Sequence, residues 1–194
     1  MTLIELMVVI TIIGIFVAMG FPAMGGILED RQTGRAAEEI TNLFRVARAR
    51  AAATGAAHRI LATANGATGG TFVLRTALTA VGGPSSSCLV PVWTDADSSV
   101  LTTLAITSSG SGSLAQRDVV VEPLTGVSST LEFCFSPGGV TWTRNGAGVW
   151  SRPAGAQVTG WRVYRTTTGS SPTVLGVERF IRIMPSGLPS IEAK

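Results

Sequence analysis

The residues that could do chemistry in this chain are few and widely spaced. His58 is the only histidine, so a Ser-His-Asp relay would have to be built around it. Its place just beyond a helix end reads instead as a surface or helix-capping imidazole. Asp95 and Asp97, in "WTDADSS", offer oxygens of the kind calcium takes, but without the twelve-residue loop pattern they read as a polar turn. Two cysteines and one histidine cannot supply the usual four-ligand zinc set. Cys88 and Cys134, 46 positions apart, form a disulfide if this region lies outside the cytoplasm, and are otherwise two buried thiols. Closing a loop of that size is worth roughly 4 kcal/mol in the chain-entropy model. "GATGG" and "SPGGV" lack the phosphate-binding lysine and read as turns. No catalytic residue, metal or cofactor is expected.

The basic residues carry one further possibility. The chain has fifteen basic and twelve acidic residues, and Lys194 is its only lysine. From Val140 onward seven bases face only Glu178 and Glu192, a local charge of +5. Arg162 with Arg165, and Arg179 with Arg182, fall near Trp161, and arginine beside aromatics is a nucleic-acid-binding combination. The competing reading is a solvated or subunit-facing cluster. A separation of three puts the members of each pair on opposite faces of a strand, which divides any such patch. Trp93, Trp142, Trp150, Trp161 and Tyr164 read as core or loop-packing residues, with some available as anchors for a partner.

The elements that position these residues begin with "MTLIELMVVITIIGIFVAMGFPAMG". Leu6 to Leu28 are 23 residues without a charge. As a helix they would extend roughly 34 Å, enough for a hydrocarbon core of about 30 Å. The run therefore reads as a membrane span, and no small-x-small cleavage site follows it. Gly14 and Pro22 mark a predicted kink, because proline removes a backbone donor and crowds the preceding turn. Past Leu28, Ala36, Ile40, Leu43, Phe44, Ala47 and Ala51 recur at three- and four-residue steps and form one apolar stripe. Gly55 supplies the stop. Glu5 is the one acid at the head of the greasy run. In a dry bundle it would need a cation, and the α-amino group of a neighbouring subunit lies in the right layer.

"TLIELMVVITIIGI", with Glu5 and Pro22 in place, resembles the N-terminal motif of type IV pilins and type II secretion pseudopilins. The family usually has Phe at position 1, where this chain has Met1. The resemblance implies cleavage of a leader just before Met1 and N-methylation of that residue by a prepilin peptidase. It implies a single-pass inner-membrane protein with a periplasmic head, in contact with lipid and an assembly platform before it joins a filament. It further implies that Glu5 pairs with the N-terminal amine of an adjacent subunit and so sets register. "LFRVARARAAATG", "LEFCFSPGGVTW" and "RFIRIMPSGLPSI" are similar to the H-type minor pseudopilins and the minor pilins known as FimT and FimU. Some FimT-like proteins serve DNA uptake. The implied function is thus a non-enzymatic filament subunit, in the initiating or tip complex, with a DNA-binding minor pilin as the alternative.

After Gly55 the strand candidates are "HRILAT", "TFVLRT", "CLVPVW", "VLTTLAI", "DVVVE", "TLEFCF", "GWRVYR" and "ERFIRIM". In "TLEFCF" the residues Leu131, Phe133 and Phe135 share the face that should meet the helix stripe, while Glu132 and Cys134 share the other. The predicted fold is α+β: a long N-terminal α-helix, membrane-spanning in its first half and amphipathic in its second, packed on a C-terminal antiparallel β-sheet head. Its divisions are 1–28 for the filament-core helix, 29–55 for the amphipathic helix and 56–194 for the head.

Overall fold

A computed structural model describes residues 3–66, 69–79, 83–89, 98–107, 114–115, 119–124, 126–146, 148–153, 159–167 and 173–194, without the side chains of 18–29, 98, 107, 114 and 115. Helix α1 runs Leu3–Thr54, and its side chains are described in two pieces, 3–17 and 30–54. Gly55, at φ 68°, takes the left-handed conformation that closes a helix.

Ten strands follow: β1 (His58–Ala64), β2 (Gly69–Ala77), β3 (Ser98–Thr107), β4 (Leu114–Ala115), β5 (Val119–Pro123), β6 (Thr130–Phe135), β7 (Thr141–Asn145), β8 (Thr159–Thr166), β9 (Val174–Ile183) and β10 (Pro189–Ala193). They form two sheets, a larger one ordered β4-β3-β2-β1-β6-β7 and a smaller one ordered β10-β9-β8-β5. All pairings are antiparallel except β3 with β4. The sheets meet where Val121 of β5 bridges to Gly66 and packs above Gly70 of β2. In β8, Gly160 lies so close to the Ile181 carbonyl of β9 that a Cβ would collide with it.

The stripe Ala36, Ile40, Leu43, Phe44, Ala47 and Ala51 is buried between the inner faces of the two sheets. Phe44 is the hub. Its ring meets Phe133 edge-on at 5.0 Å and Phe135 at 6.1 Å, and lies 5.8 Å from Trp161. Edge-to-face aromatic pairs of this kind add about 0.5–1.5 kcal/mol each beyond the area they bury. Period two in β6 sends Leu131, Phe133 and Phe135 into this core and Cys134 to the far side.

The expected architecture is corrected by these observations. Among the described residues no helix is long and apolar enough to cross a membrane. The expected span Leu6–Leu28 therefore has no support among the described residues. Described helical side chains fall in two shorter pieces, only the second of which packs on sheet, and strand outweighs helix. The described residues are mostly antiparallel strand, arranged in two sheets. The same finding removes the support for a single-pass inner-membrane localisation. Residues 90–93 of "CLVPVW" lie outside the described residues and Cys88 and Leu89 are not in a strand, while β4, β7 and β10 are strands the sequence reading did not single out.

Candidate functional site

The part of the molecule least explained by its own packing is the first piece of α1. Leu3, Ile4, Leu6, Met7, Val8, Val9, Ile10, Ile12, Ile13, Ile15, Phe16 and Val17 are all exposed, from 45% at Val9 to 80% at Leu3. At 100° per residue these positions surround the helix, so it is apolar on every side. Thr11, the one hydroxyl in the middle of this run, turns its Oγ1 back to the Met7 and Val8 carbonyls at 2.9 and 2.8 Å. That removes the need for an outside partner and lets Thr11 enter an apolar environment at little cost. Sequence reasoning overlooked it, although threonine inside an apolar helix is a readable signal. A Cβ at Gly14 would meet nothing within 4 Å. Glu5 lies one turn in, exposed, and is the only charged residue of this piece. Met1 lies outside the described residues, and the side chain of Pro22 is in the undescribed stretch.

The second piece is fastened to the head by polar contacts as well as by its stripe. Asp30 Oδ1 accepts the Val177 amide at 3.1 Å, and Arg48 donates Nη1 to the Ser186 carbonyl at 2.5 Å. Both contacts reach the smaller sheet or its last turn, more than a hundred residues away in sequence. No local signal announces them.

On the far face of the larger sheet, Cys88 and Cys134 form a disulfide with Cα atoms 5.8 Å apart. Ala57, Ala77, Trp142 and Trp150 pack around it. Beside it Glu132 is buried between two arginines, with Arg59 Nη1 at 2.9 Å and Arg144 Nη2 at 2.6 Å. Burial draws Arg59 down to about 10, and the charge of Glu132 works against that fall. It remains a cation at neutral pH, so removing Glu132 would strand two guanidinium groups. Arg144 also stacks over Trp150, and Arg152 over Trp142, at 4.8 and 5.2 Å.

His58 is buried, at 1% exposed, and the expectation of a surface or capping residue is corrected. Its Nδ1 lies 3.0 Å from the Ala56 carbonyl, which can only accept, so Nδ1 carries the proton. Nε2 then accepts from the Thr76 hydroxyl at 3.1 Å. Desolvation lowers its pKa, the Ala56 bond opposes that, and Arg50 adds to it. Both nitrogens are occupied by structural partners, which leaves no relay to a serine and a carboxylate. Asp95, Asp97 and Trp93 lie outside the described residues, and among those described no group of three ligating side chains could hold a metal.

The C-terminal arginines do not gather into one surface. Arg162 is clasped by Glu178 through Nε at 3.0 Å and Nη2 at 2.5 Å, with Glu122 at 3.7 Å and the Tyr164 ring below it at 4.3 Å. The Glu178 bonds raise its pKa. Arg182 pairs with Glu192 at 3.3 Å. Arg179 lies against Gly34 of α1 on the helix-facing side, and Arg165 stands opposite Leu175. Trp161 is buried in the core and is not available for base stacking.

No family model, curated protein or solved structure matches this chain.

Proposed function

We propose that this chain is a non-enzymatic structural subunit of a type IV pilus or type II secretion pseudopilus. In this reading it assembles with neighbouring subunits through the first piece of α1, in the initiating or tip complex. One observation carries the reading: an apolar rod, exposed on all sides and bearing the single acid Glu5, extends from a head whose own core is complete. Burying a Leu- or Ile-sized side chain is worth about 1.5–3 kcal/mol. A dozen exposed ones therefore supply a strong drive to associate, and helices of the same kind offer matching surfaces. Glu5 converts that drive into specificity. In a bundle its carboxylate is tolerable only where a cation meets it, and the α-amino group of the next chain is a cation in the same layer. In this reading the register that brings that amine to Glu5 is favoured over the others.

The test is incorporation of Glu5→Val into sheared filaments, followed by immunodetection of the subunit. The variant is expected to fold its head, retain the Cys88–Cys134 bond and be absent from the filament fraction. Incorporation at the wild-type level would overturn the proposal.

A further inference from the structure

Two positions of β9 meet α1 one helical turn apart. The Val177 amide bonds Asp30 Oδ1 at 3.1 Å, and the Arg179 guanidinium rests against the helix at Gly34, where an added Cβ would lie 3.5 Å from its Nε. Beside this seam is a cavity of about 420 Å³, lined by Asp30, Arg31, Gly34, Arg35, Glu38 and Arg179.

Arg179 stands apart from the other arginines that have a nitrogen shut off from water. Arg59 pairs with Glu132 and Arg182 with Glu192, and Arg75 and Arg165 are engaged as well. The Nε of Arg179 is closed off from water without a hydrogen-bond partner, and among the described residues its guanidinium has no ion pair. Arg31 and Arg35, four residues apart on one face of α1, are exposed and have no ion pair among the described residues either. The two acids of the cavity do not answer these charges. Asp30 is turned to the Val177 amide, and Glu38 is exposed with no ion pair among the described residues. A guanidinium drawn partly out of water keeps its charge, so leaving it uncompensated costs free energy that a bound anion would restore.

We infer that the α1–β9 cavity binds a phosphate group, held by Arg179 from the strand and by Arg31 and Arg35 from the helix. The planar fork of arginine matches oxyanions. A phosphate brings a charge of about −1.5 to −2 and three acceptor oxygens, one for each arginine, where a carboxylate brings a single charge and two oxygens. The volume leaves room for the body that carries the phosphate. A soluble phosphate ester and a phospholipid headgroup present the same chemistry. The site does not depend on filament assembly.

The full-length chain, dispersed in a maltoside detergent, is titrated with inorganic phosphate, glycerol phosphate and mixed micelles carrying phosphatidic acid, with ionic strength held constant by chloride. Calorimetry reads affinity, and the arginine Nε–H resonances read the site. The Arg179 resonance should shift with phosphate and stay in place with chloride. Arg179→Gln should weaken binding at least tenfold, and Arg31→Gln and Arg35→Gln several-fold each. Glu38→Gln, which removes a repelling charge, should tighten it. If Arg179→Gln does not fold, the two helix variants decide, since both are exposed. An Arg179-dependent affinity for phosphatidic acid at least tenfold above that for glycerol phosphate assigns the headgroup as source, and equal affinities assign a soluble ester. The inference is overturned by an unmoved Arg179 resonance at the highest phosphate concentration, by an equal shift with chloride, or by unchanged binding in the folded arginine variants.

Discussion

The two described pieces of α1 belong to one helix and have opposite relations to water. Residues 30–54 carry a narrow apolar stripe, and every member of it is buried by the sheets. Residues 3–17 are apolar on all sides, and every large member is exposed. A stripe specifies one partner surface, and the chain provides it. An all-round apolar surface specifies no single partner face. The second piece is therefore accounted for by the chain's own packing, and the first is not.

That contrast makes opposite demands on mutations. Phe44→Ala should have the largest effect, destabilising the head by about 3–5 kcal/mol through a cavity among Phe133, Phe135 and Trp161. Denaturant unfolding followed by tryptophan fluorescence measures it, and a loss below about 1 kcal/mol would show that the stripe is not the hinge of the core. Replacing Cys88 and Cys134 together by serine should cost about 2–4 kcal/mol. The same unfolding curve reads it, and the loss should be matched by reduction of the wild-type chain.

Substitution in the first piece should behave differently. Val9→Asp is predicted to change head stability by no more than about 0.5 kcal/mol, as for other exposed sites. The same change should remove the subunit from filaments. A melting shift as large as that of Phe44→Ala would erase the distinction between the two pieces.

The smallest expected effect is a pH dependence from His58. Its folded pKa is depressed, so the unfolded chain binds the proton more readily. Stability should be full above the unfolded value of about 6.5, decline as the pH falls below it, and level off once the folded-state pKa has been passed. His58→Gln should flatten that segment of a stability–pH curve, and an unchanged slope would show that other groups set it.

How much of this was legible beforehand depended on the range of the interaction. The Ala36–Ala51 stripe and the inward Leu131, Phe133 and Phe135 follow from periods of 3.6 and 2, which are local. The Glu132 cluster joins Arg59 and Arg144 across strands 73 and 12 residues distant, and His58 is buried by a fold that brings Ala56 and Thr76 to its two nitrogens. Ala56 is a neighbour in sequence, but nothing local indicates Thr76 for His58, or Arg59 and Arg144 for Glu132. β7 and β10 escaped notice because "TWTRN" and "PSIEA" are short and weakly apolar, and pairing with β6 and β9 makes them strands. The membrane reading rested on a continuous apolar run. Such a run states how much surface avoids water but not which neighbours remove it.

By itself, then, the amino-acid order determined which residues avoid water, with what period, and that one acid stands at the head of an apolar helix. Tertiary structure decided that two sheets enclose the stripe and that Arg162 and Arg182 are answered by Glu178 and Glu192. The physical reason is that apolarity belongs to each side chain, whereas charge compensation and ladder pairing depend on what the rest of the chain brings within about 3 Å.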